Sequence, residues 1–183
     1  MLHSLKRSAA PVDTGAPLDR LLGCHARIRH FVGVAARLKD HDLQPASLAD
    51  VAETAASLRR YFGEAMPLHE ADEESDVTPL LLSSSNRAAV EDHLLMMVNE
   101  HCMLHLILDE LAPLWARLEA DPGALTVLRA SLQVPTRRLE AIADVHLARE
   151  ERHVFPLVAA LSEAEQAALV VEMRRRRDGA LPS

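Results

Sequence analysis

His69-Glu70-Ala71-Asp72-Glu73-Glu74-Ser75-Asp76-Val77-Thr78-Pro79-Leu80 and His146-Leu147-Ala148-Arg149-Glu150-Glu151-Arg152-His153-Val154-Phe155-Pro156-Leu157 are two copies of one pattern, H-x-x-x-E-E-x-x-V-x-P-L. The second copy starts 77 residues after the first (146 − 69). Another histidine pair, His25 and His101, has nearly the same offset, 76 (101 − 25). A histidine and a carboxylate four apart on a helix lie on one face and can grip one metal site. Four such helices, built as two similar hairpins, would bring their ligands together at a central axis.

The bulk composition agrees with helices. The chain has 183 residues, enough for one domain with a proper core. Apolar residues make up 49% but aromatics only 3%, so the core must come from Leu, Ala and Val, as in helix-on-helix packing. No alternating run rich in Val, Ile and aromatics marks a strand. A formal net charge of −7 argues against a nucleic-acid surface. Arg174 to Arg177 is the exception and reads as the solvated end of a last helix. No apolar run is long enough to span a bilayer, and Met1 to Ala16 lacks a secretory leader, so a cytoplasmic location is expected. Cys24 and Cys102, each beside a histidine, read as packing thiols.

Breakers and caps divide the chain into an N-terminal arm over 1–16, a helical body over 17–161 and a C-terminal helix and tail over 162–183. Pro17 opens a first helix running to about Asp40, with Leu18, Leu21, Leu22, His25, Ile28 and Val32 on its apolar face. Ser47 caps a second helix, which Gly63 and Pro67 should kink and which ends near Pro79 to Leu82. A third spans about Arg87 to Ala120, with Leu94, Met97, Val98, His101, His105 and Leu108 inward. Asp121 should cap the next segment, which breaks at Pro135 and resumes through about Ala159. Ser162 to Glu165 is a capping box opening a short final helix that packs outside the body.

Seven residues occupy inward helical positions: His25, His69, Glu73, His101, His105, His146 and Glu150. Neutral imidazole and carboxylate suit iron, manganese or zinc. Seven ligands exceed what one ordinary ion takes and suit two ions sharing the carboxylates. With no cysteine in the set, a structural zinc site is disfavoured. Buried without partners, each group could cost a few kcal/mol, together more than a domain's stability. His3, His30, His41 and His93 read as solvated, His153 as a rim residue, Glu70 as an exposed carboxylate, and Glu74 and Glu151 as outward. The ferritin-like pattern needs two Glu-x-x-His motifs, and the chain has one, Glu150 to His153. His-Glu-x-x-His is absent.

In the order His, His-x-x-x-Glu, His-x-x-x-His, His-x-x-x-Glu, with Pro-Leu following both repeated glutamates, the chain resembles the hemerythrin-like, or HHE cation-binding, family over about Leu18 to Leu161. The resemblance implies an up-and-down antiparallel four-helix bundle around a non-haem di-iron centre. It implies that His101, His105 and His146 bind one iron and His25 and His69 the other. Glu73 and Glu150 would bridge them, with an oxo or hydroxo group completing the bridge. Zinc or manganese could substitute. Many family members have two adjacent histidines where this chain has Leu68-His69, and no cysteine-bearing N-terminal region of the iron-sulfur-repair type is seen.

The function expected from this resemblance is binding of dioxygen or a related small ligand, for sensing or storage. A dry pocket from Leu21, Ile28, Leu94, Met97, Val98 and Ile142 would serve it. The alternative is a di-iron enzyme or iron-handling protein acting on peroxide, nitric oxide or ferrous iron, with His153 and Asp109 as the nearby proton-transfer groups. No nucleic acid or membrane is expected as partner.

Overall fold

A computed structural model describes residues 15–41, 47–85 and 87–179. Every regular element among them is helical, so the fold is all-α. Helix α1 is Pro17–Asp40, and α2 is Leu48–Arg60. A π-helical turn, Tyr61–Ala65, leads into α3, Met66–Ala71; a second, Asp72–Val77, leads into α4, Thr78–Ser83. Then come α5, Arg87–Ala120, and, after a 3-10 turn at Pro122–Ala124, α6, Leu125–His153. The last elements among the described residues are α7, Phe155–Ala159, and α8, Glu163–Gly179. The expected N-terminal arm lies, but for its last two residues, outside the described residues, as does the tail after Gly179.

Helix α5 packs against α6, α6 against α1, and α2 against both α1 and α5. The pattern that drives this is plain along α5. Val90, Leu94, Met97, His101, Leu104, Leu108, Leu111, Trp115 and Leu118 are buried at alternating steps of three and four, the stripe of a helix facing its neighbours. The apolar core forms two clusters. One holds Ile28, Leu58, Phe62, Leu104, Leu111, Trp115 and Leu139. The other holds Leu21, Val77, Leu94, Met97, Val154 and Phe155. His25 falls between Leu21 and Ile28, and His101 between Met97 and Leu104, so a polar layer is sandwiched between two apolar ones. Phe31 stacks on Tyr61 at 3.9 Å and Phe62 on Trp115 at 5.5 Å, which gathers most of the few aromatics at one end.

The prolines act differently from expectation. A proline cannot donate to the carbonyl four residues back. Pro67 and Pro79 each follow a π-helical turn, and the wider i to i+5 pattern carries the chain past the missing bond. The expected kink near Gly63 and Pro67 is thus a π turn, and the second π turn, over 72–77, has no counterpart in the expectation. Pro135 does not break α6, which runs through it, because burial of Leu132, Pro135, Thr136 and Leu139 offsets one lost bond. The interruption falls instead at Val154, just before Pro156.

Other local expectations are corrected too. Leu22 is exposed. Ser47 and Asp121 stand at N-cap positions without a side-chain capping bond, and Asp121 instead accepts from Arg117 at 3.0 Å. The capping box at Ser162 forms as expected: Ser162 N donates to Glu165 Oε2 at 2.9 Å and Glu165 N to Ser162 Oγ at 3.3 Å. Cys24 is buried, but Cys102 is exposed and packs no core; both are free thiols.

Candidate metal centre

Helix α1 supplies His25, the α3 segment and its π turn supply His69 and Glu73, α5 supplies His101, and α6 supplies His146 and Glu150. All six residues are at most 2% exposed. Their ligand atoms form two groups that could hold a metal ion: His25, His69, Glu73 and Glu150, and Glu73, His101, His146 and Glu150. Both glutamates belong to both groups.

The two oxygens of each glutamate face different groups. Glu73 Oε1 lies 3.4 Å from His69 Nε2 and 3.8 Å from His25 Nε2, while its Oε2 lies 3.5 Å from His101 Nε2. Glu150 Oε2 lies 3.1 Å from His25 Nε2, while its Oε1 lies 3.3 Å from His146 Nε2 and 3.9 Å from His101 Nε2. Two atoms that each sit about 2.1 Å from a shared ion, at right angles, are about 3 Å apart. Both oxygens of Glu73 and of Glu150, and Nε2 of His25, His69 and His101, are buried with no hydrogen-bond partner. Such a concentration of orphaned donors and acceptors is costly unless a cation satisfies it. The donor set fits a metal pair.

Three of the four rings are aimed from behind. Nδ1 of His25 donates to Glu151 at 2.9 Å, Nδ1 of His101 to Glu74 at 2.7 Å, and Nδ1 of His146 to Glu100 at 3.2 Å. A proton held on Nδ1 leaves the Nε2 lone pair facing the centre. Glu151 is held in turn by Arg29 at 2.7 Å, and Glu100 by Arg149 at 3.1 Å. Glu74 and Glu151, expected to face outward, thus support two of the rings, and Glu100 a third. The signal for the first two was present in the doubled Glu-Glu of the repeat: the first glutamate turns in, and the second, about 100° round the helix, reaches a neighbouring ring. Glu74 and Glu151 are partly exposed, as expected, but each has this specific partner. Glu100 carried no repeat signal.

His105 is not brought to the other six. It is half-exposed, and its Nε2 lies 2.8 Å from Glu70 Oε2, at the edge of a groove of about 670 Å³ that Phe62, Pro67, Asp109 and Trp115 also line. The inward stripe of α5 continues through Leu104 and Leu108 instead. Glu70, expected on the surface, is buried; its Oε1 has no partner, and burial pushes its carboxyl pKa up. His153 is exposed and stacks on His93, ring centroids 4.1 Å apart.

Without an ion the cluster balances its charge with protons. Burial opposes protonation of His25, but Glu150 and Glu73 outweigh it and push its pKa up to about 10. Burial is likewise outweighed at His101, where Glu73 and Glu74 raise it to about 9. Burial brings His69 and His146 down to about 4. Burial and the neighbouring Glu73 push Glu150 up to about 8, whereas His69, His101 and His25 hold Glu73 well below the usual carboxylate range despite its burial. One carboxylate is kept ionised and the other kept protonated, as expected for two close carboxylates.

The sequence model of the hemerythrin HHE cation-binding domain matches residues 16–134. The chain belongs to this family. The match spans more than half of the chain and takes in His25, His69, Glu73 and His101, as well as His105. His146 and Glu150 lie beyond it, so their place in the site rests on the internal repeat and on the geometry above. No curated protein matches the chain. A family defined by cation binding accords with the two His/Glu groups. Among the described residues no helix is long and apolar enough to cross a membrane.

Proposed function

We propose that this protein is a cytoplasmic, non-haem di-iron protein that binds dioxygen or a related small ligand, built as an up-and-down antiparallel four-helix bundle. The observation that carries the reading is the split of Glu73 and Glu150, each with one oxygen toward either group of histidines. His25 and His69 would hold one ion, His101 and His146 the other, and both glutamates would bridge. Iron bound there would supply reversible electron transfer to a small ligand. The chain's own part is to fix the imidazoles through Glu151, Glu74 and Glu100, and to exclude water with Leu21, Ile28, Leu94 and Met97, all buried. Four protein residues per ion leave room for an exogenous ligand, and a dry surround favours binding over turnover.

The alternative, a di-iron enzyme or iron-handling protein acting on peroxide, nitric oxide or ferrous iron, is favoured by one feature. The groove beside His105 carries Glu64, Asp109 and Glu119, and His105 on its wall pairs with the buried Glu70, so ionisable groups for proton transfer stand beside the helices that carry the cluster. Anaerobic loading with ferrous iron, metal analysis and absorption spectra before and after aeration separate the two. Two irons per chain and a charge-transfer band that appears on aeration and reverses on deoxygenation are expected. Steady consumption of peroxide or nitric oxide would move the assignment to the alternative, and failure to retain iron or a similar ion would refute both.

A further inference from the structure

Of the arginine run at the end of α8, Arg174 and Arg175 are exposed, as expected, but Arg176 and Arg177 are not solvated charges. Arg177 grips the buried Asp72 with both terminal nitrogens, Nη2 to Oδ2 at 2.6 Å and Nη1 to Oδ1 at 3.2 Å, and Nη1 also donates to the Met173 carbonyl at 2.7 Å. Arg176 Nη1 donates to Asp76 Oδ2 at 2.7 Å and also bonds Asp72. Asp72 is 1% exposed, so its charge needs these partners. Leu169 and Met173 seat α8 beside Val77, Val154 and Phe155. Asp72 and Asp76 bracket the π-helical turn that presents Glu73, and π turns are rare and need tertiary support. The second repeat copy has no carboxylate at the two matching positions. Its residues at these positions are Arg149 and His153, 77 positions on from Asp72 and Asp76. The charge pattern therefore directs α8 to one copy alone.

We infer that α8 is a clamp on the first repeat copy, in which Arg176 and Arg177 are positioning residues that act through Asp72 and Asp76 to hold Glu73 and His69 aimed at the centre and slow the escape of bound metal. The inference rests on the metal reading above for its last clause only. Two arms test it in the full-length protein. In the metal-free form, hydrogen exchange is followed at amides 72–77 and, in the other copy, at 149–153. In the iron-loaded form, release to a ferrous chelator is followed by absorbance. R176Q/R177Q should speed exchange at 72–77 while sparing 149–153, and accelerate iron release on the order of tenfold. R176K/R177K should restore part of both effects. Arg175→Gln, whose guanidinium pairs with Glu172 on the exposed face, should change neither. Wild-type exchange at 72–77 in R176Q/R177Q, or equal acceleration in both copies, would overturn the clamp. Should that double variant fail to fold, Arg176→Gln alone keeps the Arg177–Asp72 pair and must still raise exchange at 72–77 selectively, or the inference fails. Wild-type protein that takes up no metal would sink the metal reading while the exchange arm still decides the clamp.

Discussion

Glu74 Oε1 accepts a hydrogen bond from His101 Nδ1 at 2.7 Å, so the second glutamate of the first repeat copy steers a histidine from the other half of the chain. Glu151, its equivalent in the second copy, does the same for His25 at 2.9 Å. The halves thus hold each other's rings. The doubled glutamate has a division of labour: Glu73 and Glu150 face the centre, and Glu74 and Glu151 orient what faces it.

That exchange predicts matched phenotypes. Glu74→Gln and Glu151→Gln should each lower iron affinity by about 10- to 100-fold, the usual effect of losing a carboxylate behind a ligand histidine. The two should act on different ions, which stepwise chelator titration monitored by absorption would reveal. Wild-type affinity in both would show that the rings need no such support.

The separation of His105 from the other six residues predicts unequal histidine variants. His101→Ala should strip most iron from the protein, whereas His105→Ala should retain most of it, and His41→Ala, at the end of α1, should be indistinguishable from wild type. Metal analysis after desalting decides it. Equal loss in His101→Ala and His105→Ala would place His105 among the ligands after all.

The metal-free protein should be most stable near pH 6.5. His25 and His101, raised from 6.5 to about 10 and about 9, contribute stability that is complete below 6.5 and is lost as pH climbs through those values. Glu150, raised to about 8, adds a loss between 4.5 and 8. On the acid side, His69 and His146, lowered to about 4, cost stability as pH falls from 6.5 through 4, and Glu73 adds to that loss below 4.5. Thermal melts of the chelator-treated protein should therefore show a lower Tm at pH 9 than at pH 6.5. A Tm that rises over this span would contradict the cluster's assigned protonation.

Trp115 is 1% exposed and stacks on Phe62 in the aromatic end of the core. Trp115→Ala should cost about 3–5 kcal/mol in urea unfolding. It should leave the iron spectrum of the folded fraction unchanged, because Trp115 is four helical turns from His101.

Much of this protein was legible from periodicity and repetition. The bounds of α1 and α5, the capping box at Ser162, and the inward placement of His25, His69, Glu73, His101, His146 and Glu150 follow from three-four spacing, which is a property of the chain alone. Tertiary packing decided the rest. His105 shares a nominal face with His101, yet it is half-exposed and turns to Glu70 beside the groove on α5 instead of to the centre. Whether a proline breaks a helix depends on what its neighbours bury, so Pro135 passes within α6 while Pro79 follows a π turn and Pro156 an interruption at Val154. Arg176 and Arg177 read as surface charge until α8 folds back across some hundred residues of sequence onto Asp72. A local pattern fixes the direction of a side chain from its own helix axis, but only the arrangement of the other helices fixes what that side chain meets.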